Sequence, residues 1–302
     1  MTLRMPILHI VIPTIDSRSW LLEALESIYV SHASEIANGT ILVTVIDDCS
    51  QFSFFSESDA SQFLNLELIH NQRRYGLAGV FNQSISLCRG DLLQIMGHDD
   101  RILPGFYRQL VSNWHKNREC AVFALGVEVI DLNSKISRPV MDRIKQYLTP
   151  RAAKYSPQII SGQRALVKLL IGNFLYFPAL VFNFEKISNL SFSEEAGVAL
   201  DLDLICRLLL NENSLSIFSG SIFFQYRRST LSYSGISGST KRRYLEEKAV
   251  VTEIANLARE KGWLTAYLMA HAALAIRAAE IFRLVKKFTI IFHFVRIKHV
   301  PK

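Results

Sequence analysis

The sequence has few cysteines. There are only four in 302 residues, at positions 49, 88, 120 and 206, and no two of them form a CxxC pair. That spacing excludes a disulfide framework and a cysteine-based zinc site, and it suits a reducing compartment. Long hydrophobic runs are missing too. The apolar, charge-free stretch Leu264 to Ile276 near the C-terminus has thirteen residues, too few to cross a bilayer. The opening MTLRMPILHIVIP has a short apolar run broken by Pro13 and no small-residue cleavage site, so no secretion signal is expected. Internal repeats and low-complexity tracts are lacking. With 49% hydrophobic and 20% charged residues, the chain is globular and long enough to bury a large core. A distributed basic groove is missing as well. Of the net charge of +7, +6 falls within Arg277–Lys302, leaving about +1 for the preceding 276 residues. That pattern argues against a nucleic-acid partner.

What is present is an alternation of apolar strands and amphipathic helices. Ile7 to Ile12, Ile41 to Ile46, Leu66 to Ile69 and Leu92 to Met96 read as buried strands. Trp20, Leu21, Leu25 and Ile28 recur at helical spacing after a cap at Asp16 or Ser17, and Gly76 to Leu87 forms another helix. Such alternation predicts a doubly wound sheet, whose ligands bind beyond the carboxyl ends of the strands. Polar or acidic residues stand at three of those ends: Pro13-Thr14, Asp47-Asp48-Cys49-Ser50 and Gly97-His98-Asp99-Asp100. Adjacent carboxylates beside an apolar core call for neutralisation, and a hard divalent cation completed by phosphate oxygens supplies it. The alternative for Asp99 and Asp100 is a simple turn that caps the helix opened by Pro104.

Further along, Cys120 to Ile130 and Leu215 to Tyr226 read as strands. Asp131 to Pro157 is basic and proline-punctuated, and is expected to be a mobile loop. In LDLDLICRLLL (200–210), Asp201 and Asp203 fall in the first turn of a helix, where carboxylates also serve as caps. Arg207 is placed for an i,i+4 pair with Asp203.

The ordered motifs VIPTIDSRSWLLEALESI, VIDDCS and NQRRYGLAGVFNQSISLCRGDLLQIMGHDD, with Asn71, Gly76, Asn82 and Gly90 in place, resemble the nucleotide-sugar half of family 2 glycosyltransferases. The resemblance implies a GT-A fold: an α/β, Rossmann-type, doubly wound mixed sheet. It implies a catalytic domain over 1–235 (nucleotide-sugar half to about 110, then acceptor half and closing loop) and a basic helical extension over 236–302. It also implies that Asp47 and Asp48 read base and ribose, that Asp100 and Asp99 bind Mg²⁺ or Mn²⁺, and that Asp201 is the catalytic base with Asp203 as fallback. Pro13, Thr14, Asp16, Ser50, Arg73, Asn82, Arg227 and Arg228 complete the expected donor site. The chain departs from the family pattern at Gly97 and Leu200, where many members carry acids, and at Ser229, near the place of a histidine.

The implied activity is inverting glycosyl transfer from a nucleotide-diphosphate sugar to a saccharide or lipid-linked saccharide, in bacterial surface polysaccharide assembly. The basic tail, rich in Phe and Ile, adds an anionic membrane surface as partner. The expected location is therefore cytoplasmic, peripheral on the inner face of the membrane. Two other readings remain: a nucleotidyltransferase, which ordinarily wants a glycine-rich basic loop after the first strand, and a non-catalytic sugar-nucleotide-binding or membrane scaffold.

Overall fold

The structure is a computed structural model that describes residues 5, 7–52, 54–152, 156–228 and 240–275. The predicted strands are all present: β1 (Leu8–Thr14), β2 (Ile41–Asp47), β3 (Leu66–His70) and β4 (Leu92–Ile95). They pair in parallel in the order β3-β2-β1-β4. Pro13 is tolerated in the central strand because β4 pairs β1 only as far as Val11. Beyond β4 the sheet becomes mixed. It continues through β8 (Leu180–Asn183), β6 (Cys120–Ile130) and β9 (Ser214–Arg227) to the two-residue β5 (Arg101–Ile102), while β7 (Gln158–Ser161) pairs with β9. β8 runs antiparallel to both of its neighbours.

One hydrophobic core lies on each face of the sheet. On one face pack α1 (Arg18–Ser31), the short α2 (Ala33–Ala37) and α5 (Phe106–Lys116), burying Leu21, Leu25, Ile28, Phe106 and Leu110. On the other pack α4 (Gly76–Ser86), α7 (Gly162–Ile171) and α9 (Leu200–Leu210). Single turns, α3 (Glu57–Ala60) and α8 (Phe184–Ile187), complete the order. The helix after Pro104 begins at Phe106, since Gly105 takes the left-handed conformation before it.

One expectation is revised. The segment expected to be an irregular loop contains α6 (Val140–Leu148), which starts directly after Pro139. The C-terminal helices, α10 (Thr240–Glu260) and a helix over 264–275 here called α11, pack on the core: Val250, Val251, Ile254, Ala266, Ala270 and Leu274 join the cluster that holds α9. The expected closing loop, 226–234, is described only as far as Arg228, and the basic tail from Arg277 lies outside the described residues.

β6 and β9 bend together at Gly126, where the register shifts. A side chain at Gly126 would collide with the Ser221 carbonyl oxygen. Their first halves thereby stay in the core sheet, while their second halves carry Tyr226 and Arg227 toward the end of β4. Gly126→Ala should cost about 1–3 kcal/mol, as overpacking does. Thermal unfolding checks this, and an unchanged Tm would mean the bend relaxes freely.

Candidate active site

The three strand ends meet. The Asp48 amide donates to the Thr14 carbonyl at 2.9 Å, and His98 Nδ1 lies 3.4 Å from the Pro13 carbonyl. Ser17 holds the N-cap position of α1 but turns its hydroxyl back to the Ile15 carbonyl. Asp16, at φ +47°, accepts the Gln51 and Phe52 amides at 2.8 and 2.6 Å and donates its own amide to Ser50 Oγ. The β1 and β2 loops are thus tied into one wall. Ser50 also donates to Asp47, whose second oxygen meets His70 Nδ1 at 3.2 Å. His70 stacks on Phe54 at 4.8 Å. Neither His70 nor Phe54 stood out in the sequence, because nothing in their local pattern marks them.

Asp48 has its oxygens filled by the protein. It accepts the Tyr75 and Gly76 amides at 2.8 and 3.0 Å and the Asn71 amide at 3.2 Å, and so neutralises the start of α4. Asn82 is likewise occupied: its side-chain amide clasps the backbone of Phe192 at 2.7 and 3.0 Å, facing the core rather than the strand-end loops. Arg73 is exposed in its loop, lying 5.3 Å over the Tyr75 ring.

At the end of β4, Asp100 is 1% exposed and Asp99 half-buried. One Asp100 oxygen accepts the Arg227 amide at 2.8 Å, while the other is buried with no hydrogen-bond partner. Burial first, and the Asp99 charge second, push the Asp100 carboxyl well above the ordinary range. A side chain at Gly97 would occupy the space between that free oxygen and Asp99, whose Oδ1 would lie 3.1 Å from it. An unsatisfied buried carboxylate oxygen, a second carboxylate and an open space fit a hard cation that draws its remaining ligands from phosphate and water. Among the described residues, no group of three His, Cys, Asp or Glu side chains could hold a metal by itself. The Thr14 hydroxyl is also buried without a partner at this end of the sheet.

Arg227 does not reach out to a ligand. It is 1% exposed, and its guanidinium donates to the Asp99 carbonyl at 2.7 Å, the Asp131 carbonyl and Ser134 Oγ at 3.0 Å, and Glu23 at 2.7 Å. Trp20 covers it at 4.4 Å. The guanidinium expected at the diphosphate is thus engaged by the protein as a structural tie. Arg228 forms a two-point pair with the buried Asp142 of α6, at 2.6 and 3.1 Å.

A series of side chains then links the acid pair to Asp201, through charge at its two ends and contact between them. The Tyr226 hydroxyl is pushed up to about 12 by burial, with the Asp100 charge next. Its ring lies 5.2 Å from that of Tyr176, whose hydroxyl bonds Asp142 at 3.1 Å. Lys145, one turn along α6, donates to the Leu175 carbonyl at 3.0 Å, and burial lowers its pKa. Next stands Asp201, accepting the Leu202 amide at 2.8 Å and the Asn173 amide at 3.3 Å. Desolvation raises its pKa, and the Lys145 charge opposes the shift only in part. Asp203 differs: it is buried and paired with Arg207 at 2.6 and 3.1 Å, as the helical spacing predicts. Asp142, Lys145, Tyr176 and Tyr226 are site residues that sequence reasoning missed. The YRR run pointed near Tyr226, while α6 was hidden by its own charges.

A model of the family described as glycosyl transferase family 2 matches residues 9–169, more than half of the chain. The chain is a family 2 glycosyltransferase. The family acts with nucleotide-sugar donors, and the fold is GT-A-like. Among solved structures, TarS 1-349 of S. aureus in complex with UDP-GlcNAc aligns with a TM-score of 0.64 at 17% identity, over 88% of this chain and 72% of that one. The mannosyltransferase PcManGT of Pyrobaculum calidifontis, in complex with GDP-Man and Mn2+, aligns with a TM-score of 0.58 at 16% identity, over 96% of this chain and 81% of that one. No curated protein sequence matches the chain.

The unequal states of Asp201 and Asp203 can be read in stability. A carboxyl whose folded pKa is raised keeps a proton that the unfolded chain releases near pH 3.9, so its ionisation costs stability as pH climbs above that value. At neutral pH Asp201→Asn should therefore unfold at a higher temperature than the parent, with the gap closing in acid. Asp203→Asn should unfold at a lower temperature, because it leaves Arg207 without its partner. Scanning calorimetry across pH checks both signs.

Proposed function

We propose that the protein transfers a sugar from a nucleotide-diphosphate donor to an acceptor hydroxyl with inversion, Asp201 acting as base. One observation carries this reading. Two carboxyl groups are left under-neutralised, Asp100 with one buried oxygen that has no partner and Asp201 with a desolvation that Lys145 offsets only in part, while Asp48 and Asp203 are matched by protein partners. Under-neutralised carboxyl groups are what a cation and a proton transfer need.

In this reading Thr14, Asp47 and Ser50 line the nucleoside end of the donor, with exposed Arg73 above it. Asp48 and Asn82 hold the surrounding backbone. Asp99 and Asp100 would hold a Mg²⁺ or Mn²⁺ ion, which when bound offsets charge on the departing diphosphate. PcManGT, bound to GDP-Man and Mn2+, supports that choice of ion. Asp201, its pKa raised toward the working pH by desolvation, takes the acceptor proton. Asn173 orients the carboxylate and Lys145 keeps it ionisable. Arg228 is held back by Asp142, and it turns to the diphosphate only if that pair opens.

For the acceptor we propose a saccharide, free or lipid-linked, met at a membrane by the basic tail. In this reading attachment is peripheral, through the tail; among the described residues no helix is long and apolar enough to cross a bilayer.

Nucleoside diphosphate release in the presence of acceptor tests the chemistry. Asp201→Asn should lose about 10²- to 10⁴-fold in kcat with donor affinity kept. Asp99→Asn and Asp100→Asn should lose the Mn²⁺-dependent part of donor affinity in calorimetry. A larger kcat loss in Asp203→Asn than in Asp201→Asn would reassign the base, and release of pyrophosphate would favour nucleotidyl transfer. For the tail, removal of residues 277–302 should weaken co-sedimentation with anionic vesicles while donor binding survives; unchanged sedimentation would contradict its role.

A further inference from the structure

The inner side of α6 carries Asp142 and Lys145, which belong to the site above. Its other sides serve nothing yet described. Val140, Ile144 and Tyr147 are 61%, 46% and 81% exposed, so large apolar side chains recur every three or four residues along one outward stripe of the helix, and Ile136, 63% exposed, stands just ahead of it. A stripe at that spacing is ordinarily the face a helix buries. Here it faces solvent.

The stripe stands beside a cavity of about 620 Å³, which opens between α6, the Gly126 bend of β6 and β9, and the Phe174–Tyr176 segment. Arg138, Arg143 and Arg151 line it. All three are exposed, and none has an ion-pair or side-chain hydrogen-bond partner among the described residues. The one acid on its wall, Glu128, accepts the Gln225 amide at 2.8 Å. Positive charge is concentrated here. Residues 132–152 hold five Lys or Arg against one Asp, and that Asp142 is buried and paired with Arg228.

An exposed apolar stripe bordered by unpaired arginines is complementary to one kind of surface, a bilayer with phosphate headgroups. There apolar side chains sink to the acyl boundary while guanidinium groups meet phosphate oxygens. We propose that the outer face of α6, with Arg138, Arg143 and Arg151, is a docking surface for an anionic lipid bilayer. It is separate from the basic tail and does not depend on the assignment of Asp201. Docking through α6 would set the acceptor side of the cleft, through Asp142 and Lys145 on the same helix, against the membrane.

The test uses the full chain with a local fluorescent reporter, Tyr147→Trp, read as the difference spectrum from the parent. Phosphatidylcholine vesicles containing phosphatidylglycerol should shift the emission of the introduced indole to the blue, and pure phosphatidylcholine should not. Arg138→Gln/Arg143→Gln/Arg151→Gln in the reporter chain should move the titration midpoint about 100-fold, the loss for three interfacial cations at about 1 kcal/mol each. Ile144→Ser should weaken the shift at any salt concentration. Four results would overturn the proposal. The indole emission could stay water-like while the chain sediments, which leaves binding to the tail alone. An equal shift with neutral vesicles would remove the role of the arginines. A shift reproduced by inorganic phosphate would make the cavity a soluble-anion site. A shift that follows protein concentration without lipid would make the face a contact between copies.

Discussion

Arg227 holds a full positive charge where almost no water reaches it, and a charge so placed must be matched from every side. The matching joins four stretches that are far apart in sequence. Trp20 and Glu23 lie one turn apart on α1, Asp99 and Asp100 end β4, Asp131 and Ser134 form the turn after β6, and Arg227 itself closes β9. The acid pair is therefore not a free loop. The Arg227 backbone amide holds one Asp100 oxygen, its side chain holds the Asp99 carbonyl, and the other Asp100 oxygen remains for a ligand. The Gly126 bend serves the same end by directing β9 to the end of β4.

The carboxylates of the cleft fall into two groups by how the protein treats them. Asp16, Asp48 and Asp203 are fully engaged by backbone amides or an arginine, and they fix loops and helix starts. Asp100 and Asp201 are desolvated with too little compensation, a costly arrangement that a folded protein keeps where function requires it. α6 serves both, its Asp142 anchored by Arg228 and Tyr176 and its Lys145 charge acting on Asp201.

Much of this was legible in the sequence, for physical reasons. Buried parallel strands read as continuous apolar runs, so β1, β2 and β4 and their polar ends could be placed, and i,i+4 spacing marked the Asp203–Arg207 pair. What stayed hidden depends on distant partners. Nothing near Asn82 reveals that it clasps Phe192, 110 residues away. Nothing near Arg227 reveals Glu23, 204 residues away. Their residue types suit a phosphate site equally well, and only the fold shows them already occupied. α6 escaped because Val140, Ile144 and Tyr147 face outward while Asp142 and Lys145 turn inward, which inverts the usual pattern.

Whether Arg227 holds the acid pair or touches the donor is decided by one calorimetric experiment. The nucleoside diphosphate that binds best is titrated into parent and Arg227→Gln chains, each with Mn²⁺ and without it. If Arg227 positions the acid pair, the variant keeps the metal-free affinity and loses the increment that Mn²⁺ adds. If affinity falls equally in both conditions while the variant stays folded, Arg227 meets the diphosphate itself, and its positioning role is refuted.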